Sequence, residues 1–385
     1  MGIPIVIFAN KNMLKDIKVI LHNASGEDKQ AFEPIFIHDK KDMQDFIAKY
    51  IKKGRINDLK TEHQAFPVGF VYNFGHKIPA SIHENIFLLN IHFSVLPCCR
   101  GPMPVEATYL SGSEVWGLTI HHVTHDIDAG NVLFYRVMPL EGIYVGVPTA
   151  PEAIESLQED TIWIMGALLD TYRRLHNAYS TRGYLEPESL QRVLQRFVRL
   201  LEVQAYVLKV RQEFEVQDKT VVYNENDIPQ RYDALVADEN LVRELFEGTV
   251  EGAAMSLSIQ REPKPGEWVY TPKDLLNSDI NIVKFKTMTA EEIVRRIQAL
   301  TGRKPVRAKV RFQGKLREAI LYRARLKMPE EEYGLKPGQI VIDTASIVVG
   351  AAKGEVAIQT MGFPGKKILD GSQLASLKDK LEAFE

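Results

Sequence analysis

The sequence predicts an α/β chain with an open, mostly parallel sheet at its N-terminal end, a helical middle region and a small β-barrel at its C-terminal end. Three observations predict this. Short apolar runs alternate with helical periodicity over about the first 140 residues. Long leucine-rich helical patterns follow, and about the last 80 residues return to short β-branched runs separated by glycines.

In order, IPIVIFA (3–9) and PVGFVYNF (67–74) are compact apolar runs of the kind buried on both faces of a parallel sheet. Between them, residues 40–54 place Met43, Phe46, Ile47 and Ile51 at helical spacing and stop at Gly54. FLLNIHFSVLP (87–97) reads as a strand running into a proline-rich turn. GLTIHHV (117–123) and NVLFYRVMPL (131–140) read as paired strands with a polar connection. Residues 150–175 and 186–214 carry long helical packing faces, and 290–302 is a shorter helix with an acidic first turn and a glycine stop. In 309–326, Gly314 separates two β-rich runs, and QIVIDTASIVVGAA and EVAIQTMGF add further strands with glycine turns.

With 385 residues, 45% hydrophobic, 25% charged and a net charge of −2, the chain has room for two or three domains and excludes global disorder. The only two cysteines, Cys98 and Cys99, are adjacent, so no disulfide framework exists and a reducing compartment is expected. The opening MGIPIVIFANKNM has no signal-peptide pattern, and no apolar run reaches the roughly 18 residues of a membrane span. A cytoplasmic protein without membrane association is expected.

HHVTHDIDAG (121–130) puts five ionisable side chains into eight positions: His121, His122, His125, Asp126 and Asp128. His121 and His125 have the spacing of two zinc ligands on one helical turn, but the stretch is β-like, so that argument fails and no metal is expected. In NIHFS, Asn90, His92 and Ser94 share one face of an apolar strand. The bland reading is that these groups cap the following loop. The functional reading gains from the second polar strand end at 121–128. An amide suits an oxyanion, an imidazole donates or shuttles a proton, and a carboxylate accepts a proton from an amine. With no nucleophile-elbow motif, the set favours direct acyl transfer to an amine.

NIHFSVLPCCRGPMPVEATYLSG and GLTIHHVTHDIDAGNVL resemble the signature of the folate-dependent formyltransferases, through Asn90, His92, Ser94–Pro97, Arg100, Gly101, Pro104, Gly117, Thr119, Asp128 and Gly130. The resemblance implies a Rossmann-like catalytic domain and 10-formyltetrahydrofolate as formyl donor. It implies that Asn90 and His92 stabilise the tetrahedral intermediate and that Asp128 assists proton transfer. It further implies a pterin pocket lined by Phe74, Gly75, His76, His125, Asp126 and Ile127, and leaves His122 as a packing or surface histidine.

Residues 302–327 hold ten Lys or Arg and one acidic residue, Glu318, a local charge near +9. Such a run suits a polyanion, the bland alternative being a solvated barrel surface. The candidate RNA-binding residues are Arg303, Lys304, Arg307, Lys309, Arg311, Lys315, Arg317, Arg323 and Arg325. LKPGQIV and VGAAKGEVAIQTMGFPGKK resemble the C-terminal OB-like barrel of the methionyl-tRNA formyltransferases. Together the resemblances cover roughly 60–145 and 285–375. The chain departs from that pattern in lacking a basic loop before the 67–74 strand, in Cys98–Cys99 after the proline, and in a longer helical stretch at 180–260.

The expected organisation is a catalytic domain at 1–178, a mostly helical insertion at 179–270 and a barrel at 271–385. The expected reaction is formyl transfer to methionyl-tRNA. An amino-sugar nucleotide acceptor and an inactive folate- or RNA-binding homologue are the alternatives.

Overall fold

The computed structural model describes residues 2–26, 30–59, 67–113, 115–130, 132–139, 148–180 and 279–385. The expected helical pattern at 186–214 and nearly all of the expected insertion at 179–270 lie outside the described residues.

The N-terminal strands form a six-stranded sheet of order β2-β1-β3-β4-β5-β6. They are β1 (Ile3–Ala9), β2 (Phe32–Ile37), β3 (Val68–Tyr72), β4 (Phe87–His92), β5 (Val115–His122) and β6 (Val132–Pro139). β1 runs parallel to β2 and β3, and β3 parallel to β4. β3 is buried along its whole length and β1 nearly so, as their unbroken apolar runs require of strands covered on both faces. The connections carry α1 (Leu14–Ser25), α2 (Lys40–Phe46) and α3 (Ala80–His83). α2 starts where the Asp39 carboxylate accepts from the N–H groups of Lys41 and Asp42, and it continues as a π turn through Ile51. Its Met43 and Phe46 pack with Val6, Phe8, Val71, Ile82 and Leu88 in one apolar cluster.

One expected strand is shorter than its sequence pattern. The strand expected in FLLNIHFSVLP to carry Ser94 on its face ends earlier, at His92, and the expected proline-rich turn occupies residues 96–99. The physical reason lies in the side chains that follow: the Ser94 hydroxyl donates to the Cys98 carbonyl at 2.7 Å and closes the chain into a turn.

The described chain gathers into two compact units that interleave in sequence. One holds residues 1–91, 119–134 and the helical residues from 160 onward. The other holds 92–118, 135–159 and the C-terminal residues. In this second unit α4 (Pro104–Leu110) packs on α6 (Ala290–Leu300), while α5 (Ala150–Ser180) runs from one unit into the other. α6 begins with a reciprocal capping pair, Thr289 hydroxyl to Glu292 N–H and Glu292 carboxylate to Thr289 N–H.

The C-terminal strands are β7 (Ile282–Val283), β8 (Val306–Phe312), β9 (Lys315–Leu326), β10 (Ile340–Ile342), β11 (Ile347–Gly350), β12 (Glu355–Gly362), β13 (Leu369–Asp370) and β14 (Leu381–Phe384). They follow the path β10-β11-β12-β9-β8-β14, every step antiparallel. The Phe384 N–H donates to the Gly338 carbonyl at 2.9 Å, which brings the last strand back to the chain entering β10. That return is the barrel-like closure the glycine-bounded strands predict. β8 and β9 are joined by Gln313 and Gly314, both at positive φ, the turn that suits a two-residue hairpin.

Candidate active site

Three polar side chains meet at the ends of β4 and β5. Asn90 lies on β4 between apolar neighbours and stays half-buried where Leu89 and Ile91 are buried. Its amide nitrogen is 3.0 Å from His121 Nε2 and 3.1 Å from the Asp128 carboxylate. His121 Nε2 is itself 3.5 Å from the same carboxylate oxygen.

The hydrogen-bond pattern fixes the proton on the ring. An amide nitrogen only donates, so His121 Nε2 accepts from Asn90. His121 Nδ1 faces the His122 carbonyl at 3.0 Å and therefore carries the hydrogen. In this arrangement His121 Nδ1–H donates to the His122 carbonyl, and the Asn90 amide donates to both the imidazole Nε2 and the Asp128 carboxylate.

Asp128 reaches Asn90 because the loop after β5 turns sharply. Its backbone sits at φ 52°, the left-handed region that a short polar side chain tolerates best after glycine. Two residues on, Gly130 presses against the His122 carbonyl, and a Cβ there would collide with it. An aspartate followed by a small residue and a glycine is what this return requires.

His92 is also on β4, buried at 5% exposure, and its Nε2–H donates to the Cys99 carbonyl at 3.0 Å. Ser94, expected on the same strand face, lies beyond the strand and caps the turn through the Cys98 carbonyl. For these two groups the loop-capping reading of the sequence describes the bonds present.

The expected pterin-lining residues sit on two loops rooted in one apolar cluster, through Phe74 after β3 and Val123 after β5. Phe74 is half-buried, edge-on to Phe8 at 5.5 Å and to His76 at 5.3 Å. Gly75, His76, His125, Asp126 and Ile127 are exposed, Ile127 at 58%. These loops leave the carboxyl ends of their strands, where open α/β sheets bind ligands. β1 separates β2 from β3, so the strand order reverses beside the 73–76 loop.

His122 packs its ring on Phe87 at 5.1 Å, and burial, then the neighbouring His121 and His83, hold its pKa below the usual 6.5. This is the packing histidine that was expected. His121 is the residue the sequence reading missed. The helical-spacing test set it aside, and a strand buried on both sides gives no alternation to single it out. Its one signal is the two-residue offset from the buried Thr119 on a polar strand face.

Among the described residues no group of three or more His, Cys, Asp or Glu could hold a metal ion, and no helix is long and apolar enough to cross a membrane.

The basic run does not form the single free face its charge suggests. Arg307, Lys309 and Arg311 alternate outward on β8, opposite Ile320, Glu318 and Leu316 on β9. Arg307 pairs with Glu318, Arg311 with Glu385, Arg323 with Glu152 and Arg325 with Glu331, at 3.0 to 3.6 Å. Arg303 pairs with the buried Glu106 of α4. Carboxylates face five of the nine expected cations, and three of those carboxylates, Glu106, Glu152 and Glu385, lie far from the run in sequence, where a local charge count does not reach. Lys309, Lys315 and Arg317 are exposed, and Arg317 lies over the Phe312 ring at 5.2 Å.

Both the sheet with its polar strand ends and the barrel have counterparts among known proteins. Residues 55–141 match the formyl transferase family, and residues 276–378 match the formyl transferase C-terminal domain. Two segments of the chain thus match the two domains of the formyl transferase family. Curated relatives carry the name methionyl-tRNA formyltransferase. One from Herpetosiphon aurantiacus is 48% identical over 52 residues, 14% of this chain and 17% of the relative. One from Roseiflexus castenholzii is 34% identical over 115 residues, 29% of this chain and 32% of the relative. The matched segments thus span less than a third of either relative's length. Among solved structures, HypX from Aquifex aeolicus in complex with tetrahydrofolic acid superposes over 98% of this chain and 47% of its own, with 15% identity and a TM-score of 0.45.

Proposed function

We propose that the protein transfers a formyl group from 10-formyltetrahydrofolate to the primary amine of methionyl-tRNA, by direct attack of the amine on the formyl carbon. The observation that carries this reading is the Asn90 amide held between His121 and Asp128 at the open ends of β4 and β5. In this reading Asn90 and His92 steady the oxyanion and Asp128 takes the amine proton. Phe74, Gly75, His76, His125, Asp126 and Ile127 line the pterin. Residues 1–178 form the catalytic domain, 179–270 an insertion and 271–385 the RNA-facing barrel.

The hydrogen bonds suggest how the steps are coupled. Both Asn90 N–H groups are engaged while Asp128 is ionised. When Asp128 accepts the proton of the attacking amine, it becomes a weaker acceptor, because a charge-assisted bond is about twice as strong as a neutral one. One Asn90 N–H is then released as negative charge appears on the formyl oxygen. The proton held by Asp128 is the one the departing folate nitrogen needs. His121 keeps the second Asn90 N–H, and so the plane of the amide, in place throughout.

The tRNA acceptor draws on the names of the relatives and on the exposed Lys309, Lys315 and Arg317. A second reading, an amino-sugar nucleotide, is favoured by the ion pairing of Arg303, Arg307, Arg311, Arg323 and Arg325, which leaves a smaller free charge than a polyanion surface would use.

The test offers 10-formyltetrahydrofolate with methionyl-tRNA and, in parallel, a panel of amino-sugar nucleotides. Formylated tRNA supports the first reading and formylated sugar the second. Asn90→Ala should lower turnover on the productive acceptor by about 10²–10³. Full turnover in that variant would remove Asn90 from the mechanism, and an inert wild-type protein would favour a binding homologue.

A further inference from the structure

Neither thiol of Cys98–Cys99 has a part in the proposed transfer, yet the pair is built into the turn that holds His92. We propose that Cys98 and Cys99 form a reversible dithiol/disulfide couple, a redox modification site whose closure shifts the two carbonyls that anchor His92 and Ser94.

The geometry carries this. The two sulfurs lie 2.7 Å apart, and Cys99 is held at φ 60°, a left-handed conformation that a residue with a Cβ adopts only under strain. Bringing the sulfurs to a bonded distance of about 2.05 Å needs a movement of only roughly 0.7 Å. Cys98 is half-buried and reachable, whereas Cys99 is fully buried with its sulfur 3.7 Å from the Ser111 hydroxyl. The turn is fastened at each residue. The Cys98 N–H donates to the Val95 carbonyl, the Cys98 carbonyl accepts from Ser94, and the Cys99 carbonyl accepts from His92.

The chemistry fits a labile bond better than a structural staple. A disulfide stabilises chiefly by closing a long loop in the unfolded chain, and adjacent residues close almost none. Their Cα atoms are held about 3.8 Å apart by one peptide, below the usual 4.4–6.8 Å span of a disulfide, so the closed ring is strained and easily reduced. The oxidant class is a low-molecular-weight disulfide. The Cys98 thiolate attacks one of its sulfurs, forming a mixed disulfide and expelling one thiolate. The Cys99 thiolate then attacks the Cys98 sulfur, forming the 98–99 bond and expelling the second thiolate. Two cysteines are oxidised, one disulfide is reduced to two thiols, and the two cysteine protons pass to the expelled thiolates. Because the 98–99 peptide is part of the ring, closing it turns the Cys98 carbonyl and displaces the Cys99 carbonyl that His92 holds.

The full-length protein is incubated with glutathione disulfide, quenched with iodoacetamide and weighed intact. The expected product is two hydrogens lighter, carries no alkyl group, maps to 98–99 in fragment spectra and reverts with reduced glutathione. Cys99→Ser should trap the glutathione adduct on Cys98, and Cys98→Ser should stay unmodified. A wild-type protein that stops at the glutathione adduct, or alkylates at both cysteines after exposure, overturns the couple. The link to His92 is read by hydrogen–deuterium exchange at the His92 ring carbon, which should change on oxidation, and by formyl transfer. Turnover should fall by on the order of ten- to a hundredfold, the scale set by displacing one positioned group. Oxidation with unchanged His92 exchange overturns that link. The mass readout does not depend on transfer, so an inactive protein would refute the proposed function and leave the couple standing.

Discussion

His121→Phe tests the arrangement at the ends of β4 and β5 most directly. The substitution keeps a ring of similar shape at a position only 2% exposed. It deletes the acceptor for one Asn90 N–H and the donor to the His122 carbonyl. A buried polar group that loses its partner costs about 1–3 kcal/mol. Asn90 is half-buried and its released N–H can reach water, so stability should fall by about 1–3 kcal/mol in total. Urea unfolding followed by circular dichroism gives that number from the midpoint at constant slope. The kinetic effect is separate. With one of its two acceptors gone, the Asn90 amide loses its fixed plane, and kcat should fall by about ten- to a hundredfold with little change in KM. His121→Gln returns an amide oxygen to the site and should recover part of that loss. A Phe variant within about 0.5 kcal/mol of the parent and with unchanged kcat would show that His121 only fills space.

Three further outcomes follow from the same geometry. The His122 pKa is held below its unfolded value of 6.5, so the unfolded chain binds the proton first as pH falls. Stability is therefore retained above pH 6.5 and declines as pH is lowered through 6.5 towards the depressed folded pKa, and His122→Leu should flatten that decline in melts between pH 7.5 and about 5.5. Arg303→Ala should destabilise by about 1–3 kcal/mol, because it strands the buried Glu106 carboxylate while the arginine itself is 55% exposed. If the proposed tRNA reading holds, it should leave the salt dependence of RNA binding unchanged, whereas Lys309→Ala and Lys315→Ala should each reduce the salt slope by about one. An unaltered melt for the arginine variant, or an unaltered slope for the lysine variants, would contradict the separation of structural cations from those proposed to face RNA.

Much of the architecture was legible because its determinants are local. The unbroken apolar run of β1 specifies a strand covered on both faces, the acidic first turn of 290–302 announces the start of α6, and Gly314 marks the β8–β9 hairpin. Asn90, His92 and Asp128 were legible as chemistry for a related reason: amides and ionisable groups inside apolar strands are unusual enough to notice. The extent of β4 was misjudged because an apolar pattern continues through Phe93 and Val95, while the bond from Ser94 that ends the strand leaves no trace in hydrophobicity.

What the sequence alone determined is the class of chain and the residue types available for reaction, since both are written in composition, spacing and turn chemistry. Only the tertiary structure decided that Asn90 faces His121 as well as Asp128, that His92 is anchored to the Cys99 carbonyl, and that five arginines of the basic run face carboxylates. The physical reason is common to all three. Hydrogen bonds and ion pairs act over a few ångströms, and their partners here lie as many as 197 residues apart in sequence, brought within reach only by the packed fold.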